Sequence, residues 1–187
     1  MSQRATRILS LAAAFAAASL LWVATPAAAA EDMEKLYAEL ADPDSADWQR
    51  AQADILREWS KSGSAAMDLL LKRGQDAMEA GDLEAAIEHL TALTDHAPDF
   101  AEGWNARATA YYLAGQFGPS LADIRRTLAL NPRHFGALSG LGTILSESGE
   151  PKEAMEAYRA ALALNPHQDN VRQALERLEQ DAEGVEI

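Results

Sequence analysis

The sequence predicts an all-α fold in which three helical hairpins stack into an α-solenoid. A helical cap precedes the hairpins and a capping helix follows them. Glycines and prolines recur at a period of 34 residues, at Gly81, Gly115, Gly149, Pro98, Pro132 and Pro166. Between these markers, apolar and small residues recur at helical spacing, which indicates helices that pack along one face. A fixed period of this length is typical of arrays built from one repeated structural unit.

The first thirty residues are set apart from this fold by their composition. Arg4 and Arg7 precede the uncharged stretch 8–24, and an alanine run ends at Ala30, just before the acidic Glu31. A basic start, an apolar middle and small residues at the end predict a secretory signal peptide, residues 1–30, cleaved after Ala30. Its alanine-rich character favours a bacterial envelope protein in the periplasm. The alternative is a retained membrane anchor, because the 17 uncharged residues approach the ~20 that span a bilayer.

The remaining chain is strongly acidic. The full sequence has 16 basic and 29 acidic residues, and removal of the signal segment leaves 14 basic residues against 29, a formal charge of −15. This charge disfavours nucleic acid or an anionic membrane surface as a partner, since both attract clusters of lysine and arginine. Cysteine is absent from the sequence, which excludes thiol catalysis, thiolate metal sites and disulfides.

Residues 31–66 contain two shorter helical patterns, the second of which is marked by Trp48, Ile55 and Trp59. When the repeat frame is shifted back by one period, the end of this pattern falls on core positions of a second helix. We therefore interpret the segment as a degenerate first repeat or an N-terminal helical cap. Helical spacing predicts that both tryptophans are buried against the block that follows, residues 67–100.

Three blocks of equal length follow: 67–100, 101–134 and 135–168. In each block, positions 4, 8 and 11 form one helical stripe and positions 20, 24 and 27 form another. Small residues at position 8, such as Gly74 and Gly142, predict a close approach of the two helices. The glycine at position 15 allows the left-handed backbone that ends the first helix. The proline at position 32 stops the second helix.

Beyond the blocks, residues 169–181 place Val171, Ala174 and Leu178 on one face and charged residues elsewhere. A one-sided helix of this kind is what the last unit of a stacked array requires, with a polar outer face. We predict a capping helix over 169–181 and a frayed tail over 182–187.

The residues shared by the blocks resemble the tetratricopeptide repeat (TPR) family. The shared features are a large residue at position 4, glycine or alanine at position 8, glycine at position 15, and proline at position 32. The resemblance implies a solenoid whose concave face, lined by the first helix of each hairpin, holds an extended or helical peptide. Arg73 and Arg107 depart from the family pattern at position 7. We expect their stems to cover the neighbouring helix and their charged ends to reach solvent.

Positions 2, 5, 9, 12 and 13 of each first helix point away from the packed stripe, because a helix turns 100° per residue. These positions line the expected concave face and carry neutral polar and apolar side chains without lysine or arginine, with acids at the ends. This character predicts a neutral or basic peptide segment of an envelope protein as the partner; the alternative is that the face merely solvates a spacer. The candidate binding residues are Leu71, Gln75, Met78, Glu102, Asn105, Thr109, Tyr112, Leu113, Ser139, Thr143 and Ser146. Asn105 and Tyr112 are expected to be exposed and to contribute most to binding.

Catalytic and metal-binding patterns do not emerge from the sequence. The four histidines lack the short spacings of zinc ligands, although His89 and His96, each beside an acid, could collect an adventitious ion. No serine has a histidine base at a recognisable spacing. We therefore predict a non-catalytic interaction module without a cofactor, monomeric rather than oligomeric. The alternative is a structural or self-associating component of an envelope assembly.

Overall fold

The computed structural model describes residues 26–185, and within this range the chain forms nine helices and no strand. The helices are α1 (Pro26–Ala41), α2 (Trp48–Trp59), α3 (Ala65–Glu79), α4 (Leu83–His96), α5 (Ala101–Leu113), α6 (Phe117–Leu130), α7 (Phe135–Glu147), α8 (Pro151–Leu164) and α9 (Asp169–Val185). The predicted all-α solenoid of three hairpins is confirmed, with α3–α4, α5–α6 and α7–α8 as the hairpins. Most of the predicted signal segment, residues 1–25, lies outside the described residues. Between residues 26 and 185, no helix has the length and hydrophobicity of a membrane span.

The turn within each hairpin depends on one glycine. The residues Gly81, Gly115 and Gly149 have φ values of +77°, +71° and +78°. This left-handed backbone is open to glycine and costly for other residues. The next backbone N–H then returns to the end of the preceding helix, as in the bond of 2.9 Å from Asp82 N to the carbonyl of Ala77. The glycines therefore end the first helices as predicted.

Two further glycines allow the helices of a hairpin to approach closely. A β-carbon on Gly74 would overlap the side chain of Leu90, and one on Gly142 would lie 2.5 Å from the ring of Tyr158. Leu90 and Tyr158 are themselves buried, so neither can move aside freely. The packing role predicted for position 8 is confirmed at both glycines.

Arg107 does not reach solvent as its sequence position led us to expect. Its guanidinium forms two hydrogen bonds with Asp123, of 2.7 and 3.0 Å, and donates a third of 2.7 Å to Thr94. The two charged side chains are only 12% and 7% exposed. Burial by itself lowers the pKa of Arg107, but the ion pair with Asp123 outweighs it and raises the pKa. Arg107 therefore joins the second hairpin to the first.

The N-terminal hairpin, α1 and α2, is not stacked on the block 67–100. Its apolar face packs against Phe135 and Leu164, which lie at the start of α7 and the end of α8. The ring of Trp59 stacks on His134 at 4.3 Å, and the ring of Trp48 stacks on His167 at 4.4 Å. The prediction that both tryptophans pack against residues 67–100 is wrong. The hairpin instead covers the turns between repeats, residues 131–134 and 165–168.

Two positions on the first helix of each repeat explain why the N-terminal hairpin is not stacked on α3. Positions 6 and 10 face the preceding unit, and they hold the buried residues Ala106 and Ala110 in α5. In α3 the same positions hold Lys72 and Asp76, which pair with each other and have side chains 67% and 56% exposed. Because burial of two charged side chains under another hairpin is unfavourable, the outer face of α3 remains in solvent.

The C-terminal helix packs as the sequence predicts. Val171 and Leu175 are buried against Tyr158 and Ala161 of α8. The helix is longer than expected, because α9 continues to Val185. Residues 182–185, which we expected to fray, are therefore helical, and residues 186–187 lie outside the described part of the chain.

Candidate functional site

The candidate site is the concave face formed by α3, α5, α7 and α9, which we call the groove. Three cavities follow one another along it, between α3 and α5, between α5 and α7, and between α7 and α9. Eight of the predicted residues line these cavities: Gln75, Met78, Asn105, Thr109, Tyr112, Leu113, Thr143 and Ser146. The stacking of the repeats therefore brings side chains from three helices into one continuous surface.

The central cavity, between α5 and α7, has a volume of about 160 Å³. Its walls are apolar and come from both hairpins, while four predicted polar residues stand around them. The lining residues are Asn105, Ala108, Thr109, Tyr112, Ser120, Ile124, Gly136, Ala137, Gly140, Thr143 and Ile144. The cavity can therefore accept an apolar group and offer hydrogen bonds beside it.

The hydroxyl groups of the groove already donate hydrogen bonds within the protein. Thr109 donates to the carbonyl of Asn105 at 3.0 Å, and Thr143 donates to the carbonyl of Ser139 at 3.1 Å. The Thr109 oxygen keeps both lone pairs for a ligand, and the Thr143 oxygen, which accepts from the Tyr158 hydroxyl at 3.3 Å, keeps one. The amide of Asn105 makes only long contacts of 3.4 Å with Glu102. Its donor and acceptor groups therefore remain suited to a peptide backbone.

Tyr112 links the two central helices of the groove. Its hydroxyl donates a hydrogen bond of 2.8 Å to Glu147 of α7, and its ring stacks on Phe117 at 5.7 Å. The bond to Glu147, together with burial, raises the pKa of Tyr112 above its ordinary value. Tyr112 and Asn105 are half-buried rather than exposed as expected, because both line the cavity between α5 and α7.

Three predicted residues do not line the cavities. Leu71 is only 2% exposed and packs in the core of the first repeat, so its placement on the binding surface is wrong. The side chain of Glu102, 14% exposed, bonds to His134 at 2.9 Å. The hydroxyl of Ser139 donates to the Phe135 carbonyl and contacts Gln168, both at 2.8 Å.

Sequence reasoning missed two features of the groove. Gly140 of α7 lines the central cavity, but it lies at position 6 of the repeat frame, which is not among the positions that predict the concave face. Arg177 of α9 lines the third cavity together with Glu147 and Asp181, although we expected the face to lack cations. Position 9 of each block carries a groove residue. Continuing the 34-residue frame by one more period into α9 places Arg177 at the same position.

The acidic groups of the groove are distributed along its length. Glu79 lines the first cavity and Glu147 and Asp181 line the third. No group of three histidine, aspartate or glutamate side chains converges as metal ligands would anywhere in residues 26–185. The groove thus presents separate carboxylates beside apolar cavities.

Comparison with known proteins places this geometry in a family. The family model described as tetratricopeptide repeat matches residues 71–118 and 114–169. A TPR repeat-containing protein from Rhizobium etli is 37% identical over 137 residues, which are 72% of this chain and 66% of that protein. The small glutamine-rich tetratricopeptide repeat-containing protein 2 of Saccharomyces cerevisiae is 28% identical over 131 residues, 70% of this chain. The chain spans 66% and 37% of the length of these two relatives.

A solved structure supports the same fold. The first TPR of Spaghetti (RPAP3), bound to the HSP90 peptide SRMEEVD, superposes with a TM-score of 0.61 and 24% sequence identity. The match covers 64% of this chain and 97% of that domain. At this identity the likeness shows the fold alone.

Proposed function

This chain belongs to the tetratricopeptide repeat family, and from that premise we propose that it is a non-catalytic interaction module that binds a peptide segment of a partner protein in its groove. The observation that carries the proposal is the row of three cavities along the concave face. Residues that sequence periodicity assigns to that face, such as Asn105, Thr109 and Thr143, line these cavities. Apolar recesses beside free hydrogen-bonding groups are what an extended or helical peptide requires.

The charge of the groove supports a neutral or basic segment as the partner. Within the described residues, the linings of the first two cavities contain no lysine or arginine, and Glu79 and Glu147 stand in or beside them. The related domain of RPAP3 binds a peptide with three acids and one arginine. A peptide of that composition would meet carboxylates here and would be repelled.

We also propose that the protein works in the bacterial envelope, because the composition of residues 1–30 is that of a secretory signal. Cell fractionation with N-terminal sequencing tests this proposal. We expect the mature chain in the periplasmic fraction to begin at Glu31. Recovery of a chain that starts at Met1 in the membrane fraction would instead establish the retained anchor.

A matched pair of variants tests whether the groove binds the partner. Thr109→Lys places a long cationic side chain between the first two cavities, both of which Thr109 lines. Ala160→Lys makes a similar change at an exposed position on α8, away from the cavities. Each variant and the parent are used to capture partners from envelope extract, followed by measurement of binding to the captured protein.

We expect Thr109→Lys to lose the partner and Ala160→Lys to retain it. Equal capture by all three proteins, together with unchanged melting temperatures, would contradict the proposal. In that case the surface that binds lies elsewhere, and the structural or self-associating role becomes the better account.

A further inference from the structure

We propose that the central cavity is an anchor site for one large apolar side chain of the partner, and that the partner carries a lysine or arginine next to this anchor. The inference rests on the proposed function and specifies the chemistry of its ligand. It follows from three features of the cavity: its size, the glycine that keeps it open, and the carboxylates at its ends.

The size and lining of the cavity match one apolar side chain. The cavity has a volume of about 160 Å³, and Ala108, Ile124 and Ile144 form much of its wall. Apolar cavities of about 150 Å³ hold a guest the size of benzene. A leucine, methionine or phenylalanine side chain is of this size, and its removal from water favours binding in proportion to the apolar area buried.

Gly140 keeps this cavity open without being required by the packing of the helices. A β-carbon on Gly140 would meet only Ile124, at an ordinary contact distance of 3.6 Å. The equivalent positions of α5 and α9 hold Ala106 and Ala174. Alanine is favoured over glycine inside a helix, so an alanine here would suit α7 better and would protrude into the cavity. Glycine at this position therefore leaves the cavity open and makes α7 less stable than alanine would.

Gly142, two residues further along the same helix, provides the contrast. Its β-carbon would lie 2.5 Å from the ring of Tyr158, so the fold itself requires glycine at this position. The two glycines thus have different roles. One is explained by the packing of α7 on α8, and the other is explained by the space that it leaves between α5 and α7.

A carboxylate lies near each end of the cavity and could attract a cation of the ligand. Asn105 lines one end and contacts Glu102, while Tyr112 lines the other end and bonds to Glu147. Glu102 is largely buried and already bonded to His134, whereas Glu147 is exposed. A cation of the ligand can therefore pair with Glu147 while the neighbouring apolar side chain enters the cavity.

Selection from a library of random linear peptides tests the proposal on the purified protein. The affinities of the selected peptides are then measured for the parent, for Gly140→Ala and for Gly140→Leu, which fill the cavity to increasing extents. Gly118→Ala and Gly118→Leu are the matched controls, because Gly118 is exposed on α6 with no atom within 4 Å of its β-carbon. Glu147→Gln removes the exposed charge and keeps an acceptor for Tyr112.

We expect the selected peptides to share a large apolar residue beside a lysine or arginine. Gly140→Leu should weaken their binding by at least about tenfold, Gly140→Ala by less, and the two controls not at all. Glu147→Gln should weaken binding by about twofold to fivefold, and only for peptides with the basic residue.

Two other outcomes would overturn the inference, and they differ in what they say about the proposed function. If Thr109→Lys blocks the selected peptides but they lack the motif or bind Gly140→Leu as tightly as the parent, the groove binds peptides without this anchor. If no peptide is enriched, or if all bind Thr109→Lys as well as the parent, the groove is not a peptide site and both proposals fail.

Discussion

At the scale of single residues, Gly140 and Gly142 show what decides the role of a glycine in this fold. Both lie in α7, two residues apart on either side of Leu141. The two glycines differ in what a β-carbon would meet: on Gly142 it would overlap the ring of Tyr158, whereas on Gly140 it would lie at an ordinary contact distance of 3.6 Å from Ile124. Which residue lies opposite each glycine is known only from the positions of the helices in the structure.

Alanine at these two positions should change the stability of the protein in opposite directions. Gly142→Ala should lower the free energy of unfolding by about 1–3 kcal/mol, because the new methyl group forces the buried ring of Tyr158 to move. Gly140→Ala should raise it by about 0.5–1 kcal/mol, because alanine is favoured in a helix and meets no obstacle. Chemical denaturation of the two variants measures the difference. A destabilising effect of equal size in both would show that Gly140 also serves packing.

At the scale of elements, the N-terminal hairpin is the part of the fold that the sequence misled us about. Shifting the repeat frame onto residues 31–66 predicted a stacked unit, since Trp59 then fell on a core position. The repeat frame does not show whether the outer face of α3 can pack against another hairpin. Lys72 and Asp76, at the positions that hold Ala106 and Ala110 one repeat later, carried that information. The six helices of the repeats, by contrast, were predictable because each has its own glycine and proline boundaries.

We predict that the contact of Trp59 with His134 and Phe135 holds the N-terminal hairpin in place. Trp59→Ala should destabilise the hairpin by about 2–4 kcal/mol, since a large and partly buried aromatic side chain is removed. Amide hydrogen exchange should then increase in α1 and α2 and change little in α3 to α9.

Trp104→Ala is the matched control, because Trp104 lies in α5 and contacts Arg107. This variant should increase exchange in the repeats instead of in the N-terminal hairpin. If Trp59→Ala raises exchange in all nine described helices equally, the hairpin is a cooperative part of the solenoid.

The capping helix α9 leads to a second prediction at this scale. A chain that ends after Pro166 loses α9 and uncovers Tyr158 and Ala161. The buried side chains Val171 and Leu175 contribute about 1.5–3 kcal/mol each, so we expect a clear decrease in melting temperature or aggregation. A chain that ends after Ala182 keeps these contacts and should melt like the full chain. A normal melt of the shorter chain would show that α9 does not cap the array.

At the scale of the whole molecule, the periodicity predicted which face of the solenoid is concave but not how its interior is filled. Residues on the groove could be assigned because every repeat points the same positions inward. The burial of Leu71 and the half-burial of Tyr112 could not, since they depend on contacts with Ala106 of the next repeat and Glu147 of α7. The central cavity likewise lies between two hairpins, with Gly136 and Gly140 of α7 on one side and Ala108 of α5 on the other.

The distribution of charge over the whole molecule leads to the last prediction, that the protein is a monomer. Both ends of the stack present charged faces: α3 carries Lys72, Arg73 and Asp76, and the exposed side of α9 carries Arg172 and Glu176. Polar outer faces keep repeat arrays from stacking end to end, and a formal charge of −13 makes copies repel one another. Light scattering after size-exclusion chromatography should give the monomer mass over a wide range of protein concentrations. It should do so at high salt as well, where charge repulsion is screened, because removing the charged side chains of the end faces from water still opposes association. A dimer that forms with increasing concentration and is lost in Thr109→Lys would show instead that the groove holds a second copy of the chain.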